Sequence, residues 1–600
     1  MRKQLNGQAN KKNGFVSFLI NLAAIALGAI LFAASFPNLL FSNGLPLLAW
    51  IAYIPVFWVI RRVSIGASVF WGALYGYAAY GLFNYWLSVF HPLAGLIVGS
   101  IYLVYLAFLF PLLRLAALVF PRRGYVLQWL IWMAFEYLRT QGFLGYSYGV
   151  TGYSQWNLLP VIQIADIAGV WGVSALVVFP SVWIAAALGS REWGVENRGV
   201  GNREQGMGNG ERSALTARES NKPHPQTKTP FPIPHSPLPL SWLKLKNFSR
   251  REWVSALIWV VLLAASLVYG FASRIDYSGA RQVKVALIQH NTDPWKPSKA
   301  PTAEQAFEEY RNDYRILTRL SDEALAAHPD TDLVVWSETA FVPRIYWHTN
   351  YRDDPVSWEL VKELLDYLAG KEVPFVIGND DARKDPALNP NDDNRVDYNA
   401  VMLFDRGQLV NQYRKLHLVP FTEHFPYEKQ LPWIYQALKN ADTHFWETGK
   451  EATVFNSRGI KFSTPICFED TFGNLSRDFV RNGAELIVNL SNDAWSRSLP
   501  AQMQHLSMAV FRAVENRRSM VRSTASGQTC AIDPNGKIIA MALPFAEEWL
   551  SAEVPIVTPT TLYTRYGDYL GVFFVWAALF LLISGIVSYI ISLRKRRQAG

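Results

Sequence analysis

Eight long apolar runs, nearly free of charged residues, limit what this chain can fold into more than any other feature. A helix of about 20 residues rising about 1.5 Å each spans the roughly 30 Å hydrocarbon core of a bilayer. Runs over residues 15–35, 45–60, 67–87, 94–120, 126–139, 159–188 and 254–273 fill the first half, and the eighth, 568–593, lies near the C-terminus. The second is short, and the fifth carries Glu136 and Arg139 at its end. The expectation is a multi-pass α-helical membrane domain of about eight helices, with one large segment, residues 275–567, outside the bilayer.

Half of the 600 residues are apolar and only 18% are charged, which excludes a disordered or collagen-like chain. A net charge of +9 suits a nucleic-acid binder only where the basic residues form a patch on one domain. Here they flank the apolar runs, so no nucleic acid is expected as a partner. Arg2, Lys3, Lys11 and Lys12 precede the first run, Arg61 and Arg62 follow the second, Arg122 and Arg123 follow the fourth, and Arg594, Lys595, Arg596 and Arg597 follow the eighth. Loops 36–44 and 88–93 carry no Lys or Arg. Because cytoplasmic loops hold the excess of these residues, eight crossings put both termini in the cytoplasm and residues 275–567 on the other face. The first run, with a basic start and Ala33, Ala34 and Ser35 after it, also fits a cleaved signal peptide, but more apolar runs follow at once and an uncleaved anchor is simpler.

Residues 189–252 are rich in Gly, Asn, Arg and Glu and then in Pro, and read as a disordered cytoplasmic linker. The expected division is a cytoplasmic tail over 1–14, six helices within 15–188, the linker 189–252, a seventh helix within 253–274, the extramembrane domain 275–567, an eighth helix over 568–593 and a basic tail over 594–600. Within the extramembrane domain, short β-branched runs at 283–289, 333–336, 375–378, 400–404, 460–466, 486–490 and 520–523 read as buried strands. Helical periodicity marks 303–327, 356–369 and 501–517, while Arg406-Gly407 and Asn535-Gly536 read as hairpin turns. Strands alternating with helices predict a layered α/β sandwich.

Two cysteines cannot make a disulfide framework and are not spaced as a zinc site, so any cysteine chemistry is that of a single thiol. Cys467 ends the strand-like run at 460–466 and is followed by Phe468, Glu469 and Asp470, then by a helix-like stretch from Asn474. A thiol at a strand end is fixed by the sheet and can face a cleft, where a nearby base would generate the thiolate. A lone cysteine of this kind is more often a buried structural residue, the reading kept for Cys530. Glu338 closes the run 333–337, and Lys415 follows a strand-like run. Either one taken alone reads as half of an ion pair at a domain edge.

In this order and at these separations, Glu338, Lys415 and Cys467 resemble the Glu-Lys-Cys triad of the nitrilase, or carbon-nitrogen hydrolase, superfamily. The apolar helices resemble its integral-membrane branch, the apolipoprotein N-acyltransferases. The likeness includes Glu136-Tyr137-Leu138-Arg139, Gly152-Tyr153-Ser154-Gln155, residues 169–174 and 489–495, and Gln504-His505, and covers nearly the whole chain apart from the extreme N-terminus and the 190–250 stretch. It implies a nitrilase-like αββα sandwich, with Cys467 as nucleophile, Glu338 as general base and Lys415 as oxyanion stabiliser, roles that suit these side chains. It also implies substrate-binding or supporting roles for Trp295, Glu423, Phe468 and Glu469; by residue type alone, each Glu reads equally as a solvated charge and Trp295 as a packed aromatic. Two departures stand out: Phe468 replaces the usual Tyr, and Ser496-Arg497-Ser498-Leu499-Pro500 follows Trp495 without a Phe-Gly pair.

No cofactor or metal is called for. His417, His424 and His444 match no zinc spacing, and the chain has no P-loop or dinucleotide fingerprint. Gly145-Tyr146-Ser147-Tyr148-Gly149 fits G-x-S-x-G but follows a membrane helix instead of the strand that motif requires. Glu136, Arg139 and Asp166 are ionisable residues near membrane depth, open to a part in lipid contact or in helix pairing. Attached helices point to a lipid substrate. The resemblance implies acyl transfer from a phospholipid, through a thioester on Cys467, to the α-amino group of a diacylglyceryl-modified apolipoprotein in the bacterial inner membrane, with the catalytic domain on the periplasmic side. The alternatives are a membrane-anchored amidase or hydrolase, in which water replaces the amine, and a non-catalytic scaffold.

Overall fold

Backbone amides in hydrocarbon must be satisfied within their own segment, so apolar runs of this kind fold as helices. The computed structural model describes residues 2–89, 94–201, 250–292, 303–389, 394–440 and 444–598. Its first part holds α1 (Arg2–Ser35), α2 (Ile54–Arg62), α3 (Ile65–Phe83), α4 (Ala94–Val119), α5 (Gly124–Leu138), α6 (Leu159–Ile162), α7 (Ala165–Gly201) and α8 (Arg250–Ala272). Among the described residues, five segments are long and apolar enough to cross a membrane: Gly14–Ser35, Ala94–Val119, Ala165–Leu188, Trp253–Ala272 and Tyr569–Gln598.

Two expected single helices are broken. The 45–60 run forms a 3-10 turn, Pro46–Trp50, and then the nine-residue α2, with Pro55 in its first turn. Proline suits a helix start but removes a donor from a helix interior, so two prolines nine residues apart favour two short starts over one span. The 159–188 run divides into α6 and α7, and α7 is kinked at Gly169, whose φ is 60°. A Cβ there would lie 2.7 Å from the Tyr563 ring, so both the conformation and the close approach require glycine. The helix α7 continues to Gly201, past the expected boundary at 188, and α1 begins at Arg2 within the expected tail. The rest of the expected linker, 202–249, lies outside the described residues.

The extramembrane part holds β1 (Arg281–Gln289), α9 (Ala303–Ala327), β2 (Leu333–Trp336), α10 (Ile345–Asn350), α11 (Pro355–Ala369), β3 (Phe375–Lys384), β4 (Arg395–Asp405), β5 (Gln408–Arg414) and α12 (Pro432–Asn440). It continues with β6 (Val454–Ser457), β7 (Ile460–Ser463), α13 (Gly473–Arg481), β8 (Leu486–Ser491), α14 (Leu499–Asn516), β9 (Ser519–Thr524), β10 (Cys530–Ile532), β11 (Ile538–Met541), β12 (Glu548–Ile556) and α15 (Leu562–Tyr566), before α16 (Tyr569–Gln598). One six-stranded sheet runs β12-β1-β2-β3-β4-β5 and the other β11-β10-β9-β8-β7-β6. Their inner faces meet in a core that includes Val285, Val335 and Val401 of the first and Phe462, Val488 and Val521 of the second. Outside the first sheet, α9 and α11 cover Ile288, Val334 and Ile377 with Leu317, Leu320 and Leu364.

Outside the second sheet the covering layer is shared. Every residue of α14 from Pro500 to Asn516 is buried. One apolar cluster joins Ile487 and Met520 of the sheet, Leu506 and Val510 of α14, and Ile162 and Val170 of the membrane half. Burying side chains of this size is worth about 1.5–3 kcal/mol each, so the docking is far from a loose tether. Polar bonds then fix its register. Gln504 Nε2 donates to the Pro37 carbonyl at 2.9 Å and its Oε1 accepts from Trp86 Nε1 at 3.0 Å. Arg517 Nη2 pairs with Asp166 Oδ2 at 2.6 Å, and Tyr269 donates to the same carboxylate. That assigns Asp166 a structural partner across the seam. Glu136 and Arg139 bond within the membrane half, to Thr151 and to the Tyr102 hydroxyl at 2.7 Å.

Candidate active site

Glu338 lies two residues beyond the end of β2, where Thr339 turns with a φ of 47°. The neighbouring strand leaves it room only because residue 378 is glycine: a Cβ there would be 2.8 Å from the Cα of Glu338. Glu338 Oε1 accepts from Asn399 Nδ2 at 2.9 Å, and Oε2 from the Asn492 backbone N–H at 2.9 Å. Lys415 directly follows β5, and its N–H extends the ladder to the Asn399 carbonyl at 2.8 Å. Its ammonium is fully buried, 3.3 Å from Glu338 Oε1 and 2.8 Å from Glu423 Oε1. Glu423 is aimed by the Val419 N–H, which donates to its other oxygen at 2.8 Å.

Cys467 does not end its strand, as the run 460–466 suggested. The strand β7 stops at Ser463, Ile466 makes a single bridge to Leu490, and Cys467 opens a 3-10 turn, Cys467–Thr471, with a φ of 49°. Non-glycine residues in this left-handed region are uncommon and strained, and they persist only where the surroundings over-determine them. Glu469 supplies much of that determination. Its carboxylate accepts from the Ile466 N–H at 2.7 Å, from Leu416 and His417 N–H at 2.7 and 3.0 Å, and from the Tyr413 hydroxyl at 2.8 Å. One buried side chain therefore staples the turn that Cys467 opens to the segment that carries Lys415. Its carboxylate is fully buried, with both oxygens engaged in these bonds.

Electrostatics tie the three residues together. Cys467 keeps partial solvent access, but protein crowds its sulfur, and burial pushes the thiol up to about 12, with Glu338 adding and Lys415 and His505 opposing. Burial works against the Lys415 charge, yet Glu423 and Glu338 outweigh it and hold the ammonium above its ordinary range. Burial raises Glu469 to about 7 against the hydrogen bonds it accepts. The resting pair is thus a neutral thiol beside a permanent cation.

A cavity of about 300 Å³ adjoins the site, between residues 140–147 of the membrane half, the 416–424 loop and the turn after Cys467. Phe468 forms part of its wall with Phe143 and Phe472, whereas Cys467 itself does not line it. Ser147 also borders it, in a loop that follows α5 and not on a strand-to-helix elbow. Glu423 lies against the Lys415 ammonium and Phe468 next to Cys467 in the turn, whereas Trp295 lies outside the described residues. Sequence reasoning missed Asn399, which holds Glu338 in place, and left Asn492, Asp493 and His505 without roles; their only signal was membership of stretches shared with the resembled family.

Comparison with known proteins agrees with this architecture. Residues 284–561 match the carbon-nitrogen hydrolase family, and residues 28–183 match the apolipoprotein N-acyltransferase N-terminal domain. Apolipoprotein N-acyltransferase 1 of Treponema denticola is 43% identical over 94% of this chain and 95% of its own length. The protein of that name in Treponema pallidum is 45% identical over 96% of this chain and 97% of its own. An apolipoprotein N-acyltransferase of Geobacter metallireducens is 31% identical over 92% of both chains.

Proposed function

The chain belongs to the apolipoprotein N-acyltransferase family of bacterial membrane acyltransferases, and on that premise we propose a two-step acyl transfer centred on Cys467. In the first step the thiol attacks the ester carbonyl of a phospholipid acyl chain. Glu338 takes the thiol proton and passes it to the departing glycerol oxygen, leaving a lysophospholipid and a thioester on Cys467. In the second, the α-amino group of a diacylglyceryl cysteine at the N-terminus of an apolipoprotein attacks that thioester. Glu338 now takes a proton from the nitrogen and returns it to the departing sulfur, so the enzyme ends as it began.

The observation that carries this reading is the Lys415 ammonium, buried between Glu338 and Glu423 beside a thiol that senses its charge. In a water-poor site a fixed cation near the attacked carbonyl stabilises the developing oxyanion strongly. With a thiol held near 12, little thiolate exists at neutral pH, so proton removal accompanies attack instead of preceding it. The seam position supports a lipid donor: α14 packs on both the sandwich and the membrane helices, which holds the catalytic domain against the membrane half.

The basic flanks of the apolar runs support eight crossings, cytoplasmic termini and a periplasmic catalytic domain, with residues 189–252 on the cytoplasmic side. The test is intact-protein mass spectrometry of the purified chain mixed with phospholipid, before and after a diacylglyceryl peptide is added. The expected result is an acyl mass on Cys467 that disappears as the peptide gains an amide-linked chain. Lysophospholipid release with no acylated peptide supports a hydrolase instead, and acyl mass on Ser147 or none at all rejects the scheme.

A further inference from the structure

Four buried charged side chains meet behind the nucleophile's turn, and the two-step scheme gives them no task. Asp470 sits on the 3-10 turn that Cys467 opens, Asp493 just past β8, His505 on α14 and Arg522 on β9. His505 Nδ1 is 2.8 Å from Asp493 Oδ1, and its Nε2 is 2.7 Å from Asp470 Oδ1. Arg522 reaches both carboxylates, bonding Asp470 through Nη1 and donating from Nη2 to Asp493 Oδ2 at 3.2 Å. Ser491 Oγ also donates to Asp493, at 3.0 Å.

A neutral imidazole offers one N–H and one bare lone pair. A bare lone pair this close to a carboxylate oxygen is repulsive, and Arg522 donates to both of these carboxylates. Both ring nitrogens thus face carboxylate oxygens as donors would, while Arg522 Nη2 lies 3.4 Å from Nδ1. Two cations then balance two anions, so no net charge is left buried. Burial opposes the charged ring, but Asp493 and the neighbouring Cys467 outweigh it and raise His505 above its ordinary range.

The position matters as much as the charge. Through Asp470, His505 grips the turn three residues beyond Cys467, and the thiol senses its charge. On its other side stands the Tyr148 ring of the membrane half, 6.3 Å between centroids, while the adjacent Gln504 is bonded to Pro37 and Trp86. The groups facing it are thus Asp470 and Cys467 on the turn, Asp493 after β8, Arg522 on β9 and Tyr148 in the loop after α5. We propose that His505, held as an imidazolium between Asp470 and Asp493, is a positioning residue for Cys467: it fixes the left-handed turn and sets a positive charge against the negative charge that develops on sulfur during attack. The inference rests on the acyl-transfer reading for its kinetic consequence and on geometry alone for its effect on the thiol.

The test uses the full-length protein in detergent. Iodoacetamide labelling of Cys467 is followed by peptide mass spectrometry from pH 7 to 10.5, beside the rate of acyl-thioester formation. His505→Gln is expected to slow labelling at pH 9 about tenfold, equivalent to a rise of about one unit in the thiol's pKa, and to slow acylation about tenfold or more. His505→Lys, which keeps a cation between the carboxylates, is expected to recover most of both. Asp493→Asn removes a negative charge that opposes the thiolate while His505 keeps Asp470, so it is expected to speed labelling at pH 9, and it provides a second reading if the Gln variant fails to fold. Labelling at wild-type rates in both His505→Gln and Asp493→Asn overturns the proposal, as does an equal loss in the Gln and Lys variants, which marks a packing role. A wild-type protein that labels but never forms a thioester rejects the acyl-transfer reading, while the labelling series still decides the role of His505.

Discussion

Replacing Lys415 by Met removes the cation that lies between the buried Glu338 carboxylate, 3.3 Å away, and the half-buried Glu423 carboxylate, 2.8 Å away. Deleting one partner of a buried ion pair costs about 3–5 kcal/mol, because the charge left behind has lost both water and its counter-ion. The two carboxylates are not left equally exposed to that loss. Glu338 keeps Asn399 Nδ2 and the Asn492 N–H, whereas Glu423 keeps the Val419 N–H. Most of the penalty is therefore expected to fall on Glu423. Adding Glu423→Gln to Lys415→Met should neutralise it and restore about 2 kcal/mol, even though Glu423→Gln alone destabilises the wild type. At about 2 °C per kcal/mol for a domain of this size, Lys415→Met lowers the midpoint by about 6–10 °C and the double variant regains about 4 °C. Thermal unfolding in detergent, followed by tryptophan fluorescence, measures both. On the proposed mechanism, acyl-thioester formation should fall about a hundredfold or more in both variants, because neither restores the cation proposed to face the oxyanion. Additive effects, or a double variant less stable than Lys415→Met, would refute the account of this buried cluster.

Further outcomes follow from other contacts. Because burial holds the Cys467 thiol near 12, its iodoacetamide labelling rate is expected to climb steadily with pH through 9.5; a plateau near pH 7 would mean a preformed thiolate. Gly378→Ala puts a methyl group against the backbone of Ser337, Glu338 and Thr339, which cannot move aside as a flexible side chain would, and should cut acyl-thioester formation about a hundredfold; retained activity would show that this strand end yields. Arg517→Met strips Asp166 of its cation at the seam and should cost about 3–5 kcal/mol, read as a lower unfolding midpoint, with an unchanged midpoint showing that the apolar contacts alone hold the halves together.

The apolar runs were legible because lipid and buried strands demand side-chain patterns that depend only on near neighbours. The stretch 333–336 is β2, 303–327 is α9, and the turns Arg406-Gly407 and Asn535-Gly536 join β4 to β5 and β10 to β11. Edges were harder. The strand β12 completes the first sheet by pairing Ile556 with Arg281, and nothing local to residues 548–556 announces a partner that far away. The 45–60 run has the composition of a span, and only the placement of its prolines betrays the break. Phe468 departs from the family pattern, but its place in the cavity wall depends on the fold around it.

The residue types and order of Glu338, Lys415 and Cys467 stand in the chain itself, because carboxyl, amine and thiol are chemical identities that no folding alters. Tertiary structure decided everything that depends on distance. It put the Lys415 ammonium within reach of two carboxylates, bent Cys467 into a left-handed turn under Glu469, and wedged α14 between sandwich and membrane so that His505 stands behind the nucleophile. Desolvation and charge coupling act over a few ångströms, and side chains dozens of residues apart acquire those separations only when two sheets, a helix and the membrane half close on one another.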